Sequence, residues 1–475
     1  MPDPRTTPVR FTPDELAQAT GGRWLSAPPG GVLEGVSTDT RTIGPGALFV
    51  ALKGERFDAH DYLAEAAAQG AAAAVVVAGR RPPSTGSGGA DLQLPLLAVP
   101  DTLAALGAIA RLHRRRFLHL PVVGVTGSNG KTTTREMIAA ILATRGTVLK
   151  TEGNLNNEVG VPLTLLGLTS AHQAAVIEMG MNHPGEIARL AAIAEPQIGV
   201  VTLAAPAHLE GLGSVEAVAD AKGELYQGLP QGGIAVANAD DARMLKRAQA
   251  SGRRLLTFAV GRGRRGDVVV LEVLSQGDDG LRFVLGIGNR EVPVHIPGLV
   301  GLHNAANAAA AAAAAIAVGC TDREIVSGLA AVRPVGRRLR VENLTSGLQL
   351  VDDCYNANPS SMSAALRTLL DLSRGAGRRA VAVLGDMLEL GAFEAEAHRA
   401  LGEEAARAGV ALLAAFGPRA RATAEAARAA GLPAFHTEDL PALVAWARAE
   451  VAPADVLLVK GSRGMRLERL VEALR

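Results

Sequence analysis

The run Gly124-Val-Thr-Gly127-Ser-Asn-Gly130-Lys131-Thr132-Thr133 decides the fold of the central part of this 475-residue chain. The apolar segment 121–126 predicts a buried strand, and residues 135–144 predict a helix. A strand, a glycine turn and a helix are typical of a phosphate-binding loop, where backbone N–H groups and the helix dipole face an anion. The candidate phosphate-binding residues are Gly127, Ser128, Asn129, Gly130, Lys131, Thr132 and Thr133.

Lys131 is expected to reach the terminal phosphates of a nucleotide, and Thr132 to hold Mg²⁺. The usual pattern, G-x-x-x-x-G-K-[ST], requires glycine at position 125, where this chain has valine. The first glycine, Gly124, comes one residue early, which points away from the commonest nucleotide hydrolases. A glycine-rich turn that binds no phosphate is the alternative, and the strand before the run and the Lys-Thr-Thr within it disfavour that alternative.

The composition excludes several classes of protein. Lys and Arg total 48 and Asp and Glu 47, so no charge excess indicates nucleic-acid binding or disorder. The two cysteines, Cys320 and Cys354, form no C-x-x-C pattern, which disfavours disulfide frameworks and zinc sites.

The N-terminus has no apolar segment typical of a secretion signal. The alanine tract after Asn307 is too short and too weakly apolar for a membrane span of ~18 residues, and it predicts a buried helix. We therefore expect a cytoplasmic protein with no membrane span and no nucleic-acid partner.

The pattern of apolar runs predicts an α/β fold with three domains, in agreement with a length prior of ~150 residues per domain. Residues 1–100 predict a small N-terminal α/β domain, in which 81–90 has the composition of a flexible surface loop. Asp101 is expected to cap a helix that runs to about Phe117. The strands predicted in this domain are 32–36, 48–52, 73–77 and 96–99, with a helix that includes 64–69.

Residues 101–333 predict a central P-loop domain with a mostly parallel sheet, and residues 334–475 predict a Rossmann-like C-terminal domain. In both regions apolar runs of strand length alternate with helical segments. The central runs are 174–179, 197–203 and 233–237, followed by an antiparallel insertion at 268–273, 281–285 and 292–296. The C-terminal runs are 348–352, 379–384, 411–416 and 456–460.

Polar residues follow several of the central strands, where ligands bind in open α/β sheets. Glu178 ends a buried strand, which is typical of a Mg²⁺ ligand beside a phosphate loop, and an acidic cap of the next helix is the alternative. For His208 the spacing leaves metal binding and helix capping equally open. Lys222, considered alone, favours a solvated surface residue.

Further polar residues come later in the chain. Asn304 and Asn307 lie three residues apart on one helix face and offer the donors and acceptors that an adenine edge requires, although a helix cap explains Asn304 equally well. Asp353 ends a strand, and the run from Lys460 to Arg463 suits an anionic group. The thiolate of Cys354 is disfavoured beside two acids. The pattern therefore predicts phosphoryl transfer by positioning and charge neutralisation, without a protein nucleophile.

Taken together, these runs resemble the ATP-dependent Mur ligase family over nearly the whole chain. The most discriminating runs lie in the predicted third domain. The runs that carry the resemblance are Ser37-Thr-Asp-Thr-Arg41, Leu48-Phe-Val-Ala-Leu-Lys-Gly54, the phosphate loop, Gly153-Asn-Leu-Asn-Asn-Glu-Val-Gly-Val-Pro162, the Glu178 strand, the His208 loop, Asp352-Asp-Cys-Tyr-Asn-Ala-Asn-Pro359, Gly385-Asp-Met-Leu-Glu-Leu-Gly391 and Lys460-Gly-Ser-Arg463.

The resemblance implies that the first domain binds a UDP moiety, the central domain ATP and the third an incoming amine. The third-domain runs resemble those of family members that join D-alanyl-D-alanine to UDP-N-acetylmuramoyl-tripeptide through an acyl phosphate, in peptidoglycan precursor synthesis. ATP, two Mg²⁺ ions and a monomeric enzyme are implied. Another Mur-type amide ligase with a different amine is one alternative, and a P-loop nucleotide-switch module is the other.

The resemblance also implies roles for individual residues. It assigns Lys131 to the moving γ-phosphoryl group, Thr132 and Glu178 to the first Mg²⁺, and His208 to a second metal. Lys222 matches a lysine that is carbamylated in related ligases and can then approach a metal. Arg338 is assigned to the γ-phosphate, with Arg337 as the alternative because it replaces the glycine of the family's Gly-Arg-Leu. The remaining assignments are Asn304 and Asn307 to adenine, Asp353 to ribose, Ser37, Thr38, Arg41 and Lys53 to the UDP substrate, Asn154 and Asn157 to the tripeptide or acyl phosphate, and Asn356, Asn358, Lys460, Ser462 and Arg463 to the incoming dipeptide.

Overall fold

The computed structural model describes residues 9–54, 57–80, 93–206, 209–334 and 336–475. The chain forms two compact units. The first comprises Met1–Gly124, Arg145–Gly180 and Ala188–Gln197, and the second comprises Val125–Thr144, Met181–Ile187 and Ile198–Arg475.

The N-terminal part of the first unit is a small α/β region. Its elements are β1 (Arg10–Phe11), α1 (Pro13–Thr20), β2 (Arg23–Trp24), β3 (Leu33–Glu34), β4 (Val36–Ser37), β5 (Leu48–Val50), α2 (Leu63–Ala68), β6 (Ala73–Val77), β7 (Leu96–Val99) and α3 (Thr102–Arg114). One sheet has the order β2-β7-β6-β5-β4, in which β4 to β7 are parallel and β2 is antiparallel. The predicted strand at 32–36 is divided into β3 and β4 at Gly35, whose φ of +89° interrupts the extended conformation.

Helix α3 begins where the sequence predicts. Asp101 accepts hydrogen bonds from the backbone N–H groups of Leu103 at 2.7 Å and Ala104 at 3.2 Å, as an N-cap residue does. A 3₁₀ turn, Arg115–Phe117, extends the helix to its predicted end. The predicted loop at 81–90 lies outside the described residues.

The central region alternates strands and helices around the phosphate loop. Its elements are β8 (Val122–Thr126), α4 (Lys131–Leu142), β9 (Thr147–Lys150), α5 (Gly160–Leu165), β10 (His172–Glu178), α6 (Glu186–Ala194), β11 (Ile198–Val201), α7 (Leu209–Leu212), α8 (Val215–Gln227), β12 (Ile234–Asn238), α9 (Ala242–Ala250), β13 (Arg254–Val260), β14 (Val268–Gly277), β15 (Gly280–Ile287), β16 (Arg290–Ile296), α10 (Leu302–Ala317) and α11 (Asp322–Ala331). Strand β8 begins in the first unit and ends in the second. In the first unit the order is β8-β10-β9, and β10 and β9 are parallel.

In the second unit the strands that follow β8 have the order β11-β12-β13-β14-β15-β16. They are parallel from β11 to β14 and antiparallel from β14 to β16. The predicted antiparallel insertion is therefore confirmed, whereas the sequence does not predict β9 or β13.

The alanine-rich helix α10 is buried, as predicted. Every side chain from 308 to 315 is 0 % exposed, and the helix packs against α4, β12, β13 and β14. Methyl side chains leave room for a close approach between the helix and the sheet. Within the described ranges, no helix combines the length and the apolar character needed to cross a membrane.

The C-terminal region of the second unit has the predicted Rossmann-like alternation. Its elements are β17 (Arg340–Asn343), β18 (Gln349–Asp353), α12 (Pro359–Ala376), β19 (Ala380–Gly385), α13 (Glu394–Ala408), β20 (Leu412–Phe416), α14 (Arg421–Ala429), β21 (Ala434–Thr437), α15 (Leu440–Glu450), β22 (Val456–Lys460) and α16 (Glu468–Leu474). The sheet order is β17-β18-β22-β19-β20-β21, and β17 is antiparallel to β18 while the other pairs are parallel. Alternate residues of each strand enter two apolar clusters, one with α12 and α13 and the other with α15 and α16, so helices cover both faces.

Candidate active site

Two glycines shape the phosphate loop. Helix α4 begins at Lys131, four residues before the predicted start, and its N-cap Gly130 has a φ of +79°. Gly127 has a φ of +149°, and a Cβ there would lie 1.8 Å from Thr202 Oγ1. A Cβ at Gly130 would lie 2.3 Å from Asn307 Oδ1. Because both positions lack room for a side chain, the loop backbone packs directly against the residues after β11 and against α10.

Hydrogen bonds hold the loop to the segment that follows β11. The Ser128 N–H donates to the Leu203 carbonyl at 2.8 Å, and the Ser128 hydroxyl donates to the Ala205 carbonyl at 3.0 Å. Thr202 Oγ1 donates to the Asn129 carbonyl at 2.5 Å. The hydroxyl and the N–H of Ser128 therefore both anchor the loop, and the assignment of Ser128 to phosphate binding stays a prediction.

Lys131 and Thr132 occupy the first turn of α4. The Nζ of Lys131 donates to the Gly127 carbonyl at 2.8 Å, so the ammonium lies over the loop. Thr132 is 7 % exposed, and Thr133 beside it is half-buried. Since Gly130 offers no side-chain acceptor, the N–H groups of this turn are suited to an anion.

Lys222 lies inside the second unit and is not the solvated surface residue that its immediate sequence favours. It belongs to α8, whose N-cap Ser214 accepts from the Ala217 N–H at 3.1 Å, and it is only 1 % exposed. Burial, and next the charge of Lys131, hold the pKa of Lys222 well below the usual lysine range. A lowered pKa favours the neutral, nucleophilic form of the amine.

The two asparagines assigned to adenine lie on one buried face of α10. Asn304 Nδ2 donates to the Val300 carbonyl at 2.7 Å, and Asn307 Nδ2 donates to Asn304 Oδ1 at 3.2 Å. Gly301 is the N-cap of this helix, so Asn304 is not a helix cap. The contact with Gly130 brings Asn307 to the phosphate loop.

A buried ion pair joins the ends of β18 and β22. Lys460 Nζ donates to Asp353 Oδ2 at 2.7 Å and to the Asn356 carbonyl at 2.8 Å. The Leu339 N–H donates to Asp353 Oδ1 at 3.2 Å. Lys460 and Asp353 thus shape the strand ends, while Asn356 is exposed beside them.

Two adjacent arginines, Arg337 and Arg338, are the candidates for the γ-phosphate contact, and their neighbours differ. Arg337 forms ion pairs with Asp352 at 3.1 Å and Glu472 at 2.7 Å. The guanidinium of Arg338 instead stacks 4.0 Å from the centroid of the Tyr355 ring. Because two carboxylates compensate the charge of Arg337, the structure favours Arg338 for an anionic ligand.

Tyr355 is a residue that the sequence reasoning missed. Arg463, assigned to the incoming dipeptide, lies 5.7 Å from the same ring centroid as Arg338. Ser462 beside Arg463 is buried, and its hydroxyl accepts from the Leu388 N–H at 3.0 Å. Only 3 % of the residues are aromatic, so a tyrosine among the polar residues that follow β18 was the sequence feature that could have drawn attention to Tyr355.

Asn358 is the N-cap of α12. Its Oδ1 accepts from the Ser361 N–H at 2.9 Å, and its Nδ2 donates to Asn129 Oδ1 in the phosphate loop at 2.7 Å. Burial, and next the charge of Asp352, raise the pKa of the Cys354 thiol far above its usual value, in agreement with the prediction that its thiolate is disfavoured.

The first unit carries Glu178 and the asparagine run before it. Glu178 is 3 % exposed at the end of β10, and its Oε1 accepts from Asn156 Nδ2 at 2.9 Å. Helix α6 begins only at Glu186, so Glu178 does not cap it. Asn157 Oδ1 accepts from the Gly160 N–H at 2.9 Å at the start of α5, and Asn154 is exposed. Asn156, which the sequence reasoning did not single out, thus contacts the Glu178 carboxylate directly.

The residues assigned to the UDP substrate lie in the N-terminal region of the first unit. Ser37 Oγ donates to the Asp39 carbonyl at 2.9 Å, and Arg41 forms an ion pair with Asp39 at 2.6 Å. That contact lowers the pKa of Asp39 to about 2. Thr38 is half-buried, and Lys53 is exposed.

His208 lies outside the described residues. Within the described ranges, no group of three or more His, Cys, Asp and Glu side chains is arranged to hold a metal ion. The metal assignments therefore remain predictions.

A phosphate loop on a mostly parallel sheet, followed by a Rossmann-like region, defines an α/β enzyme of the nucleotide-using class. Residues 32–114 match the Mur ligase family catalytic domain, residues 125–315 the Mur ligase middle domain, and residues 337–463 the Mur ligase glutamate ligase domain. The chain belongs to the Mur ligase family, which confirms the resemblance, and it is an ATP-dependent ligase with the three-domain α/β architecture.

Individual relatives match nearly the whole chain. The UDP-N-acetylmuramoyl-tripeptide–D-alanyl-D-alanine ligase of Escherichia coli K12 is 42% identical over 446 residues, which cover 93% of this chain and 94% of that protein. A crystal structure of MurF from Acinetobacter baumannii has a TM-score of 0.88 and 35% identity, and the match covers 99% of each chain. The MurF ligase of Thermotoga maritima in complex with ADP has a TM-score of 0.81 and 29% identity, over 92% of this chain and 96% of that one.

Proposed function

We propose that this chain joins D-alanyl-D-alanine to UDP-N-acetylmuramoyl-tripeptide in peptidoglycan precursor synthesis, as a cytoplasmic monomer. The observation that carries the proposal is the 42% identity to the Escherichia coli ligase of that name over 93% of this chain. The buried strand ends of β18 and β22 agree with it, because their residues belong to the runs that carry the resemblance most specifically. Proposed domain limits are 1–100 for the UDP substrate, 101–333 for ATP and 334–475 for the dipeptide.

The proposed reaction has two steps. A carboxylate oxygen of the tripeptide bonds to the γ-phosphorus of ATP, the bond to the β-phosphate oxygen breaks, and an acyl phosphate and ADP form. The neutral amino group of D-alanyl-D-alanine then bonds to the acyl carbon and loses a proton. Phosphate leaves with the former carboxylate oxygen, and an amide remains.

This chain contributes positioning and charge to both steps. Lys131 and the first N–H groups of α4 stabilise the charge that develops on the γ-phosphoryl group, and Arg338 is assigned to the same group. Asn304 and Asn307 are assigned to adenine and Asp353 to ribose. Asn154 and Asn157 are assigned to the tripeptide, and the residues assigned to the dipeptide are Asn356, Lys460, Ser462 and Arg463.

The donor set proposed for the first Mg²⁺ is the Thr132 hydroxyl and the Glu178 carboxylate. Both side chains are buried, and oxygen donors of these two kinds are the ones that Mg²⁺ prefers. When bound, Mg²⁺ would neutralise phosphate charge. A second Mg²⁺ is assigned to His208 and to a carbamylated Lys222.

Carbamylation of Lys222 is consistent with its environment. The neutral amine adds to carbon dioxide, an N–C bond forms, a proton is released and a carboxylate results. Burial favours the neutral amine that this step requires, since the pKa of Lys222 is lowered.

Mass spectrometry of the products tests the proposed function. The chain is incubated with ATP, Mg²⁺, UDP-N-acetylmuramoyl-tripeptides and one amine at a time: D-alanyl-D-alanine, L-alanyl-L-alanine, D-alanine or glycine. We expect a UDP-linked pentapeptide with D-alanyl-D-alanine alone. A product with another amine instead would indicate a different amide ligase, and ATP hydrolysis that ignores both substrates would indicate a nucleotide switch.

A further inference from the structure

Three polar side chains link the phosphate loop to the first turn of α12, and we call Asn129, Asn358 and Ser360 the amide clasp. Asn358 Nδ2 donates to Asn129 Oδ1 at 2.7 Å, and Asn129 Nδ2 donates to Asn358 Oδ1 at 3.3 Å. Asn129 Nδ2 also donates to Ser360 Oγ, and Ser360 Oγ donates to Asn358 Oδ1 at 3.2 Å. The partners are more than two hundred residues apart in the chain, and all lie in the second unit.

Both sides of the clasp are held by other bonds. On the loop side, the Asn129 carbonyl accepts from Thr202 Oγ1 at 2.5 Å, and Asn129 immediately precedes the N-cap of α4. On the helix side, Asn358 caps α12 by accepting from the Ser361 N–H at 2.9 Å. A shift of α12 would therefore displace the backbone of the phosphate loop.

We propose that Asn358 and Ser360 are positioning residues that act through Asn129. They hold the phosphate loop in register with the Rossmann-like region, so that the acyl phosphate forms where the incoming amine is delivered. This role replaces the dipeptide contact that the sequence assigns to Asn358, because both ends of its amide are engaged by the loop and the helix. The inference rests on the proposed ligase function.

The test compares two adjacent serines. Ser360→Ala removes a contact with Asn129. Ser361→Ala removes two bonds with the Asn358 backbone, one accepted from its N–H and one donated to its carbonyl, each at 3.0 Å, and it removes no side-chain bond of the clasp. Phosphate released and amide formed are measured together, with the KM for the amine and with kcat. A loosened clasp lets water reach the acyl phosphate before the amine does.

We expect wild type and Ser361→Ala to release one phosphate per amide. Ser360→Ala, which removes one hydrogen bond to Asn129, should raise this ratio and the KM for the amine by about twofold to tenfold. Asn129→Ala removes every side-chain bond from the loop to the clasp and should raise both quantities at least as much. A ratio of one in both clasp variants would overturn the inference, and so would an equal rise in Ser361→Ala.

A second measurement is independent of the ligase reaction. ADP affinity is determined for Asn129→Ala, Ser360→Ala and the double variant, after circular dichroism shows that each is folded. Non-additive changes would support coupling between α12 and the loop, and additive changes would contradict it. If wild type forms no amide, the proposed function fails, while this cycle still decides whether the clasp acts on the nucleotide loop.

Discussion

Lys222 and His303 show how burial changes the chemistry of single residues. The pKa of each is lowered because desolvation penalises the charged form. Neither shift is readable from the sequence, since the groups that bury a side chain come from distant segments. The same reason explains why the ion pair between Asp353 and Lys460 was not predicted, although both residues were singled out as strand-end candidates.

Replacing Lys222 by alanine should lower ligation on the order of 10²-fold, because the carboxylate of the proposed carbamate would be lost. Short-chain carboxylic acids should partly restore the rate. Lys246→Ala on α9 is the control, because Lys246 is less buried than Lys222 and has no assigned role. Full activity of Lys222→Ala without added acid would contradict carbamylation.

His303 should make stability depend on pH. Burial, opposed by Asp353 and aided by Lys460 and Arg367, lowers its pKa from 6.5 to about 4. Between these values the unfolded chain binds the proton and the folded chain does not, so stability falls as pH decreases from about 6.5. Denaturant unfolding at pH 7 and pH 5 should show a fall that is smaller in His303→Gln, by on the order of 1–2 kcal/mol. An identical fall in both proteins would exclude this contribution.

Tyr355 should position Arg338 and Arg463 through its aromatic face. Tyr355→Leu should reduce kcat/KM for ATP by about twofold to fivefold, the range expected for a partly exposed cation–π contact. Tyr355→Phe keeps the ring and should stay close to wild type. Equal losses of kcat/KM in Tyr355→Leu and Tyr355→Phe would contradict a role for the aromatic face.

At the scale of elements, sequence patterns predict strands whose residues are mostly buried and miss strands whose residues are partly exposed. The strands at 73–77 and 96–99 are found at the predicted residues, since each is a continuous apolar run. β9 and β21 were missed because they contain polar residues and are only partly buried. Helix α4 starts earlier than predicted because polar Lys131 and the threonines after it lack apolar periodicity but suit the first turn beside an anion.

The phosphate loop should not tolerate a side chain at Gly127. A Cβ there would lie 1.8 Å from Thr202 Oγ1, so Gly127→Ala should displace the loop and abolish ADP binding, with a loss of stability of about 1–3 kcal/mol. Gly252→Ala is the matched control, because Gly252 has a φ of +67° with no atom within 4 Å of the added Cβ. Isothermal titration with ADP distinguishes them, and wild-type affinity in Gly127→Ala would refute the packing argument.

At the scale of the whole molecule, the family matches follow the chain in the order of the three predicted domains. The two compact units do not coincide with those domains, because residues 145–180 and 188–197 of the central region pack with the N-terminal region. The segments that form one compact unit are determined by contacts between their surfaces, and the apolar periodicity of a sequence does not predict those contacts. The motif order, in contrast, was sufficient to identify the family, because it is read from the sequence without knowledge of which surfaces pack together.

Transfer of ¹⁸O from substrate to phosphate tests most directly whether this chain activates a carboxylate with ATP before forming an amide. UDP-N-acetylmuramoyl-tripeptide labelled with ¹⁸O in its terminal carboxylate is incubated with ATP and D-alanyl-D-alanine, and the released phosphate is analysed by mass spectrometry. We predict that each phosphate carries one ¹⁸O atom, because the former carboxylate oxygen leaves with phosphorus. Unlabelled phosphate formed alongside an amide, with the second ¹⁸O atom lost to water, or phosphate release without amide, would contradict the account.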